Sequence, residues 1–279
     1  MLLLRTIAET RVACKRIRGA GKTLGLVPTM GALHEGHLSL VRAAQASCDV
    51  VAVSIFVNPT QFGPKEDFAA YPRTFDQDCR TLEAAGVEVI FAPSAEEMYP
   101  PGSSTFVEVE GLSDRLDGAS RPGHFRGVAT VVAKLLNIFA PDQAYFGQKD
   151  AAQVAVLRKM VRDLQFPVHL AVCPTVREPD GLAMSSRNRN LRAEERRQAL
   201  VLSRALLAAQ QQFVGGEHGP GKLVAASLRV LGAEPGVQVD YLRIVDPDTL
   251  EDVAEVRSGA LVAVAARVGV TRLIDNLLL

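Results

Sequence analysis

Hydrophobic residues along the chain fall into short continuous runs that alternate with longer runs of helical spacing. The continuous runs are rich in β-branched residues, which is typical of strands covered on both faces in a parallel sheet. These strand patterns lie at 24–27, 50–57, 87–91, 144–146 and 168–172. Helical spacing is found at 6–18, 38–46, 73–85, 128–139 and 151–164. Strands that alternate with helices in this order predict an α/β fold with a Rossmann-like parallel sheet.

The pattern changes after residue 175, where a long Ala- and Leu-rich helix is predicted at 193–213. A second helix and three strand patterns follow it, at 223–231, 237–245, 260–268 and 272–274. We therefore predict two domains, a Rossmann-like ligand-binding domain at 1–175 and a smaller C-terminal α+β domain at 176–279 that covers the crevice as a lid. Weak alternation at 103–110 predicts one further edge strand.

Composition limits the classes of function. The chain has 31 basic and 31 acidic residues, a formal net charge of +0 that argues against a general nucleic-acid surface. No apolar stretch is long enough to span a bilayer, and charges follow the apolar residues 1–4 too closely for a signal peptide. The cysteines are scattered without a C-x-x-C pair, which predicts reduced thiols in a cytoplasmic protein. They are Cys14, Cys48, Cys79 and Cys173.

The segment P-T-M-G-A-L-H-E-G-H at 28–37 joins the first predicted strand of the sheet to a helix. Ligands of open α/β sheets bind beyond the carboxyl ends of strands, and the first turn of a helix attracts anions. Gly31 and Gly36 allow a ligand to approach the backbone closely. His34 and His37 are three residues apart, face the same side of a helical turn and can donate hydrogen bonds to phosphate, more strongly when protonated. The segment therefore predicts a phosphate or nucleotide site.

Polar side chains also follow other strands of the predicted sheet. Asn58 and Gln61 come after the strand at 50–57, where amides can bind hydroxyls and carboxylates without adding charge. Lys149 lies at a helix entrance and can meet a phosphate as a compact charge. Asp150 suits either a helix N-cap or a ribose hydroxyl, and Gln153 in the first helical turn points back to the same crevice.

One long polar loop follows the strand at 168–172, and loops of this length are commonly functional or disordered. Within it, the residues at 184–187 supply two hydroxyls and a guanidinium, which suit triphosphate oxygens. They are Met184, Ser185, Ser186 and Arg187.

Two further groups keep both a functional and a structural interpretation. Asp78 is a candidate for Mg²⁺, which prefers oxygen ligands, and is equally well explained as part of a solvated acidic helix face. Arg121, His124 and Arg126 either meet a carboxylate or pyrophosphate or serve as loop and cap residues.

The H-x-G-H string after a strand resembles the nucleotidylyltransferases and class I aminoacyl-tRNA synthetases, which attack the α-phosphate of ATP. The M-S-S-R string likewise resembles the M-S-K-S loop of those synthetases. Taken together, the strings of the whole chain resemble the pantothenate synthetase (pantoate–β-alanine ligase) family. The strings are P-T-M-G-A-L-H-E-G-H, S-I-F-V-N-P-T-Q-F, Y-P-R-T, F-G-Q-K-D, V-R-E-P-D-G-L-A-M-S-S-R-N and T-R-L-I-D-N.

This resemblance implies a usually homodimeric enzyme that joins (R)-pantoate to β-alanine with ATP and Mg²⁺, through a pantoyl-adenylate. It implies His37 as proton donor with His34 beside it, and Lys149 and residues 185–187 on the phosphates. Gln61 would bind pantoate and β-alanine, and Gln153 pantoate. The implied ATP-binding residues are Met30, Gly31, Ala32, Leu33, His34, Glu35, Gly36, His37, Gly147, Gln148, Lys149, Asp150, Val176, Met184, Ser185, Ser186 and Arg187.

The sequence departs from the family pattern at two places. Ala152 stands where the family often has a second glutamine, and Gln77-Asp78 replaces an acidic pair, which weakens a direct protein ligand for the metal. Two other functions fit the same motifs: a nucleotidylyltransferase that releases an adenylated product, and a non-catalytic nucleotide sensor. Two uncharged amides facing a small acid favour the ligase. A tRNA-charging enzyme would need a basic anticodon-reading domain, which the sequence lacks.

Overall fold

The computed structural model describes residues 1–64, 66 and 68–279. A six-stranded parallel sheet has the order β1-β4-β3-β2-β5-β6, and a three-stranded antiparallel sheet has the order β7-β8-β9. The strands are β1 (Leu2–Leu4), β2 (Leu24–Thr29), β3 (Val50–Ile55), β4 (Val89–Phe91), β5 (Gln143–Gly147), β6 (His169–Cys173), β7 (Val237–Val245), β8 (Leu261–Val268) and β9 (Thr271–Leu278).

Helices connect the parallel strands and cover both faces of their sheet, so that β2, β3 and β4 are almost entirely buried. The helices are α1 (Ile7–Gly19), α2 (Glu35–Gln45), α3 (Phe75–Ala84), α4 (Ala95–Met98), α5 (Asp117–Ser120), α6 (His124–Phe139), α7 (Ala151–Asp163), α8 (Ala193–Val214) and α9 (Pro220–Leu231). Short 3₁₀ turns lie at Pro59–Gln61, Gln148–Asp150 and Ser186–Asn190. The predicted Rossmann-like α/β fold is confirmed.

The predicted elements are found with shifts of a few residues at their ends, except that one predicted strand is absent and one strand was missed. Residues 2–4 form the edge strand β1, which the sequence analysis did not predict. The segment 103–110 is not a strand, because Val107 donates its backbone N–H to the Thr130 hydroxyl of α6 instead of to a neighbouring strand. The helix predicted from 128 begins earlier, at His124.

The order of the parallel strands creates a crevice at the centre of the sheet. β2 pairs with β3 on one side and with β5 on the other. The chain continues from β2 to β3 and from β5 to β6, so it leaves the neighbouring strands β2 and β5 in opposite directions. Such a reversal of strand order leaves a gap beyond the carboxyl ends, where ligands of this fold bind. The two predicted nucleotide segments, 30–37 and 147–150, follow β2 and β5 and therefore flank this gap.

The C-terminal helices α8 and α9 pack on the antiparallel sheet around their own apolar core. Four apolar residues of this unit, Val245, Leu250, Leu261 and Ala263, instead join the large core formed with α6 and α7. The boundary predicted at 175 falls just after β6 and stays a prediction. Within the described part of the chain, no helix has both the length and the apolar character required to cross a membrane.

Candidate active site

A cleft with two connected lobes opens at the centre of the parallel sheet. The inner lobe, of ≈ 240 Å³, lies against β2, β3 and β5, and the outer lobe, of ≈ 460 Å³, extends to β9. The lobes form one continuous site, because the same side chains line both. The shared residues are Arg121, His124, Lys149, Asp150, Gln153, Ser185 and Arg187.

Most of the residues predicted to bind ATP or substrate line the inner lobe. They are Met30, His34, Gly36, His37, Gln61, Gly147, Lys149, Asp150, Gln153, Val176, Met184, Ser185, Ser186 and Arg187. Five others lie outside the lining: Gly31, Ala32, Leu33, Glu35 and Gln148. Glu35 forms an exposed ion pair with Arg42, and the amide of Gln148 bonds Asn276 of β9.

Asp78 does not belong to the cleft, and its candidacy as a metal ligand is not supported. Its buried carboxylate accepts the backbone N–H groups of Ala32 and Leu33, both at 2.9 Å, and the hydroxyl of Thr74. Ala32 has a positive φ of 51°, a costly backbone conformation for a residue with a Cβ. Asp78 therefore holds the turn after β2 in a strained shape, which places His34 and His37 at the cleft.

His34 and His37 form a contacting pair at the start of α2, with ring centroids 4.1 Å apart and ring planes tilted by 41°. His34 caps the helix, since its Nδ1 accepts the N–H of Gly36 at 3.1 Å, and the Nδ1 of His37 accepts the N–H of His34 at 3.3 Å. A neutral imidazole whose Nδ1 accepts carries its hydrogen on Nε2. Both Nε2–H groups are thus left as donors for a ligand in the cleft.

Both imidazoles are held neutral by their surroundings. Burial, aided by the nearby Lys149 ammonium, lowers the pKa of His34 to about 4. Burial and the neighbouring His34 lower the pKa of His37 to about 3. At neutral pH the protein without ligand therefore presents two uncharged N–H donors, not the more strongly donating imidazolium that the sequence analysis considered.

We expect the rings of His34 and His37 to stay neutral from pH 8 down to about pH 5 in the ligand-free protein, because burial disfavours the charged form. Nitrogen chemical shifts of isotope-labelled histidines, assigned with single-histidine variants, measure this directly. Titration of either ring near its ordinary pKa of 6.5 would contradict the expectation.

The low pKa of His34 also affects stability. The unfolded chain binds more protons than the folded chain between pH 6.5 and about pH 4, so the melting temperature should fall as the pH is lowered through that window.

Lys149 lines the same inner lobe as the histidine pair, and its charge lowers the pKa of both rings. It follows β5 in the 3₁₀ turn that leads into α7, its side chain is 19% exposed, and its Nζ lies 3.4 Å from a carboxylate oxygen of Asp150. A mostly buried ammonium beside neutral donors suits a phosphate, which would restore the charge balance of the cleft.

Gln61 is fixed by Asn58, which was itself predicted to bind a ligand but lies outside the lining of the cleft. The amide of buried Asn58 donates to Gln61 Oε1 at 2.9 Å and to the Gly127 carbonyl at 3.1 Å. With its oxygen occupied, Gln61 can offer its NH₂ group to a ligand. Helix α6 can approach this closely only with glycine at 127, because a Cβ there would lie 2.2 Å from the Thr60 carbonyl oxygen.

Arg121 and His124 line both lobes of the cleft and also make supporting contacts within the protein. Arg121 forms two 2.7 Å bonds with Glu66, and its Nη1 lies 2.9 Å from His124 Nε2. His124 Nδ1 donates to the Gln61 carbonyl at 2.8 Å, and burial lowers the His124 pKa to about 4. Arg126 stacks on Phe106 and lies outside the cleft lining.

Ser54 is a lining residue that opens the S-I-F-V-N-P-T-Q-F string but was assigned no role in binding by the sequence analysis. It lies inside the apolar run of β3, and its hydroxyl is buried against the inner lobe. In the described part of the chain this hydroxyl has no hydrogen-bond partner. It is therefore available to a ligand, and only the register of β3 beside β2 reveals it.

The long polar loop after β6 is an ordered hairpin. Met184 N–H donates to the Val176 carbonyl at 3.0 Å, and Arg177 and Ala183 form an antiparallel β-bridge through their backbones. Ion pairs from Arg196 to Glu178 and Asp180 fasten the hairpin to α8. Ser185 to Arg187 follow directly and face the cleft beside the histidine pair.

The described residues of the cleft offer few side-chain ligands to a divalent cation. No group of three His, Cys, Asp or Glu residues that could hold a metal occurs within residues 1–64, 66 and 68–279. Asp150 is the acidic side chain that the described residues contribute to the lining of the inner lobe. Mg²⁺ commonly uses one or two carboxylates together with substrate phosphates and water, so this donor set fits a cation that arrives with a nucleotide.

Comparison with known proteins agrees with this geometry. The family model described as pantoate-beta-alanine ligase matches residues 2–278. The pantothenate synthetase of Acidobacterium capsulatum is 63% identical over 98% of this chain and 95% of its own length, and that of Koribacter versatilis is 60% identical over 100% and 96%. The crystal structure of pantothenate synthetase from Thermus thermophilus superposes with a TM-score of 0.95 at 49% identity, covering 99% of both chains.

A more distant solved structure carries ligands. The pantoate–beta-alanine ligase of Francisella tularensis, in complex with beta-gamma ATP and beta-alanine, has a TM-score of 0.82 at 34% identity and covers 100% of this chain and 97% of its own. Full-length similarity in sequence and fold thus accompanies the arrangement of the cleft. The chain belongs to the pantoate–β-alanine ligase family.

Proposed function

We propose that the cleft between β2 and β5 carries out ligation of pantoate to β-alanine by way of a pantoyl-adenylate. The chain is an ATP-dependent pantoate–β-alanine ligase by family, and the proposal concerns how its residues perform the reaction. One observation supports it above all. The histidine pair, Lys149 and the segment 184–187 come from separate parts of the chain and line one cavity with Gln61 and Gln153.

ATP would lie along the carboxyl ends of β2 and β5, with its phosphates between the histidine pair and residues 184–187. The backbone at Gly36 and Gly147 allows close approach, since neither residue has a side chain. Lys149 and Arg187 would neutralise phosphate charge, and the hydroxyls of Ser185 and Ser186 would donate to phosphate oxygens. Val176 and Met184 would contact the nucleotide from the hairpin.

Pantoate would lie in the inner lobe between Gln61 and Gln153. The NH₂ group of Gln61 can donate to a carboxylate or hydroxyl, because Asn58 occupies its oxygen. Gln153 lies half-buried in the first turn of α7 and makes no hydrogen bond within the described residues, so its amide is free for substrate. Two neutral amides orient a small acid without weakening its carboxylate as a nucleophile.

In the first step, a carboxylate oxygen of pantoate attacks the α-phosphorus, and the bond from that phosphorus to the pyrophosphate oxygen breaks. Negative charge increases on the phosphate oxygens and the leaving group. The Nε2–H of His37 and that of His34 would donate to these oxygens, together with Lys149. Catalysis of this step is then largely positioning and electrostatic stabilisation.

In the second step, the amine of β-alanine attacks the acyl carbon, and the carbon–oxygen bond to AMP breaks. The amine loses its proton to solvent or to the departing phosphate. An acyl-adenylate is readily hydrolysed, so exclusion of water by the hairpin and the C-terminal unit would protect it. The connected outer lobe offers a route by which β-alanine reaches the acyl carbon.

Mg²⁺, homodimer formation and a cytoplasmic location complete the proposal. The cation would be held mainly by ATP phosphates with Asp150 as a protein ligand, and it would screen phosphate charge. The homodimer rests on the family resemblance, and sedimentation of the purified protein tests it. Four unpaired thiols agree with a reducing compartment: Cys14, Cys48, Cys79 and Cys173.

Transfer of oxygen-18 from pantoate tests the mechanism. With label in the pantoate carboxylate, we expect one labelled oxygen in AMP for each pantothenate formed, because the attacking oxygen stays on phosphorus when the amine displaces AMP. Phosphorus NMR or mass spectrometry of AMP measures the label. Formation of ADP, or AMP without label, would contradict the adenylate. Accumulation of an adenylated product that β-alanine does not consume would favour a nucleotidylyltransferase.

A further inference from the structure

Two adjacent residues of the C-terminal strand connect the two phosphate-binding segments of the cleft. Asp275 and Asn276 lie in β9, next to the outer lobe, and are 3% and 5% exposed. Polar side chains as buried as these usually have a specific partner. Each has its partners in a different segment of the proposed ATP site.

Asn276 binds the turn that carries Lys149. Its Nδ2 donates to the backbone carbonyls of Gln148 at 3.0 Å and of Lys149 at 2.8 Å. Its Oδ1 accepts from the side chain of Gln148 at 3.1 Å. The side-chain amide of Asn276 thus uses both donor hydrogens and its acceptor oxygen to bind two consecutive residues, Gln148 and Lys149. The backbone from which the Lys149 side chain extends is fixed to β9.

Asp275 binds the hairpin that leads to Ser185. Its two oxygens accept from the two terminal nitrogens of Arg177 at 2.7 and 2.9 Å. Arg177 Nη1 also donates to the Gly181 carbonyl at 3.1 Å, which closes the hairpin on itself. A bidentate pair between a guanidinium and a carboxylate fixes orientation as well as distance. The hairpin is therefore attached to β9 one residue away from the Lys149 turn.

We propose that Asp275 and Asn276 are positioning residues that set the separation of Lys149 from the segment 185–187. The strand acts as a spacer, because neighbouring residues in a paired β-strand have a nearly fixed distance and direction. The inference rests on the proposed function, in which both segments bind the triphosphate. Since a displacement of about 1 Å at a reacting centre can cost about 100-fold in rate, this spacing matters for adenylation.

The two half-reactions separate positioning from general stability. Adenylation needs the triphosphate, whereas aminolysis of preformed pantoyl-adenylate by β-alanine does not. Asn276→Asp keeps the size of the side chain and removes both donor hydrogens. We expect this variant to lower kcat/KM for ATP by about 10- to 100-fold and to change aminolysis of added pantoyl-adenylate by less than about 2-fold.

Asp275→Asn is the second variant and makes the test independent of the folding of the first. It leaves one acceptor for Arg177 and removes the charge. We expect a loss of about 10-fold in kcat/KM for ATP, again with aminolysis of added pantoyl-adenylate nearly unchanged. Asn137→Asp is the matched control, since Asn137 is exposed near the end of α6 and its side chain, among the residues that the structure describes, bonds only the Ala133 carbonyl. It should leave both half-reactions unchanged.

Equal losses in the two half-reactions would show that the pair merely stabilises the fold, and would overturn the inference. Unchanged adenylation in a folded Asn276→Asp or Asp275→Asn variant would overturn it as well. Failure of the proposed function is distinguishable, because the unmodified protein would then neither form nor consume pantoyl-adenylate. Loss confined to adenylation supports the spacer role of β9.

Discussion

Replacing His37 with asparagine is expected to lower kcat by about 100-fold or more, with ATP binding still measurable. The Nε2–H of this ring would donate to phosphate oxygens whose charge increases in the transition state. An asparagine is too short to reach that position. Its oxygen can, however, replace Nδ1 as acceptor for the His34 N–H, the contact that His37 makes at the start of α2. Steady-state rates of pantothenate formation measure the effect, and thermal melting reports the fold.

His37→Gln is the matched control for this prediction. The glutamine side chain is long enough to place an N–H donor near the former Nε2, so we expect it to recover part of the rate that His37→Asn loses. Because the native ring is neutral, recovery by a neutral amide agrees with a role in hydrogen bonding. If His37→Asn folds and turns over at an unchanged rate, the assigned role of His37 is wrong.

Replacing Lys149 with methionine is expected to lower kcat/KM for ATP by about 100- to 1,000-fold, because a mostly buried cation on the phosphates is lost. Methionine retains most of the apolar stem, so packing against α7 should change little. Rates at varied ATP and pantoate concentrations test whether the loss is specific to the nucleotide. We expect the KM for pantoate to change by less than about 3-fold.

The same variant has a second readout that does not depend on activity. The Lys149 ammonium lowers the pKa of both His34 and His37, so its removal should raise the pKa of both rings. Nitrogen NMR of the histidines measures this in the ligand-free protein. Lys159→Met is the control, since Lys159 lies on the outer face of α7 and pairs with Asp163. Unchanged histidine pKa values in Lys149→Met would contradict an electrostatic interaction of Lys149 with the pair.

The predicted order of strands and helices was confirmed. The spacing of apolar residues within a short segment indicates which faces of that segment are buried, and hence whether it is a strand or a helix. The prediction failed where a distant partner decides the structure. Residues 103–110 have a strand-like pattern, but the Thr130 hydroxyl takes the N–H that a strand would use. Residues 2–4 become a strand only because β4 offers them an open edge.

In the candidate site too, local patterns identified some residues, and contacts with distant residues decided the roles of others. Local motifs identified His34, His37, Lys149 and the segment 184–187, because each follows a strand of a parallel sheet and such ends converge. Motifs could not show where Asp78 belongs, since an acidic residue on a helix looks the same whether it binds a metal or a strained turn. They also indicated Asn58 as a ligand-binding amide, whereas in the structure Asn58 lies outside the cleft lining and donates to the side-chain oxygen of Gln61.

The sequence by itself determined the fold class, the family resemblance and the chemical groups that reach the crevice, because these depend on patterns and motifs within short segments. Only the tertiary structure decided the protonation of the histidines, the support of Gln61 by Asn58 and the attachment of both phosphate segments to β9. These properties arise from burial and from contacts between residues that are distant in the chain. No local pattern records such contacts.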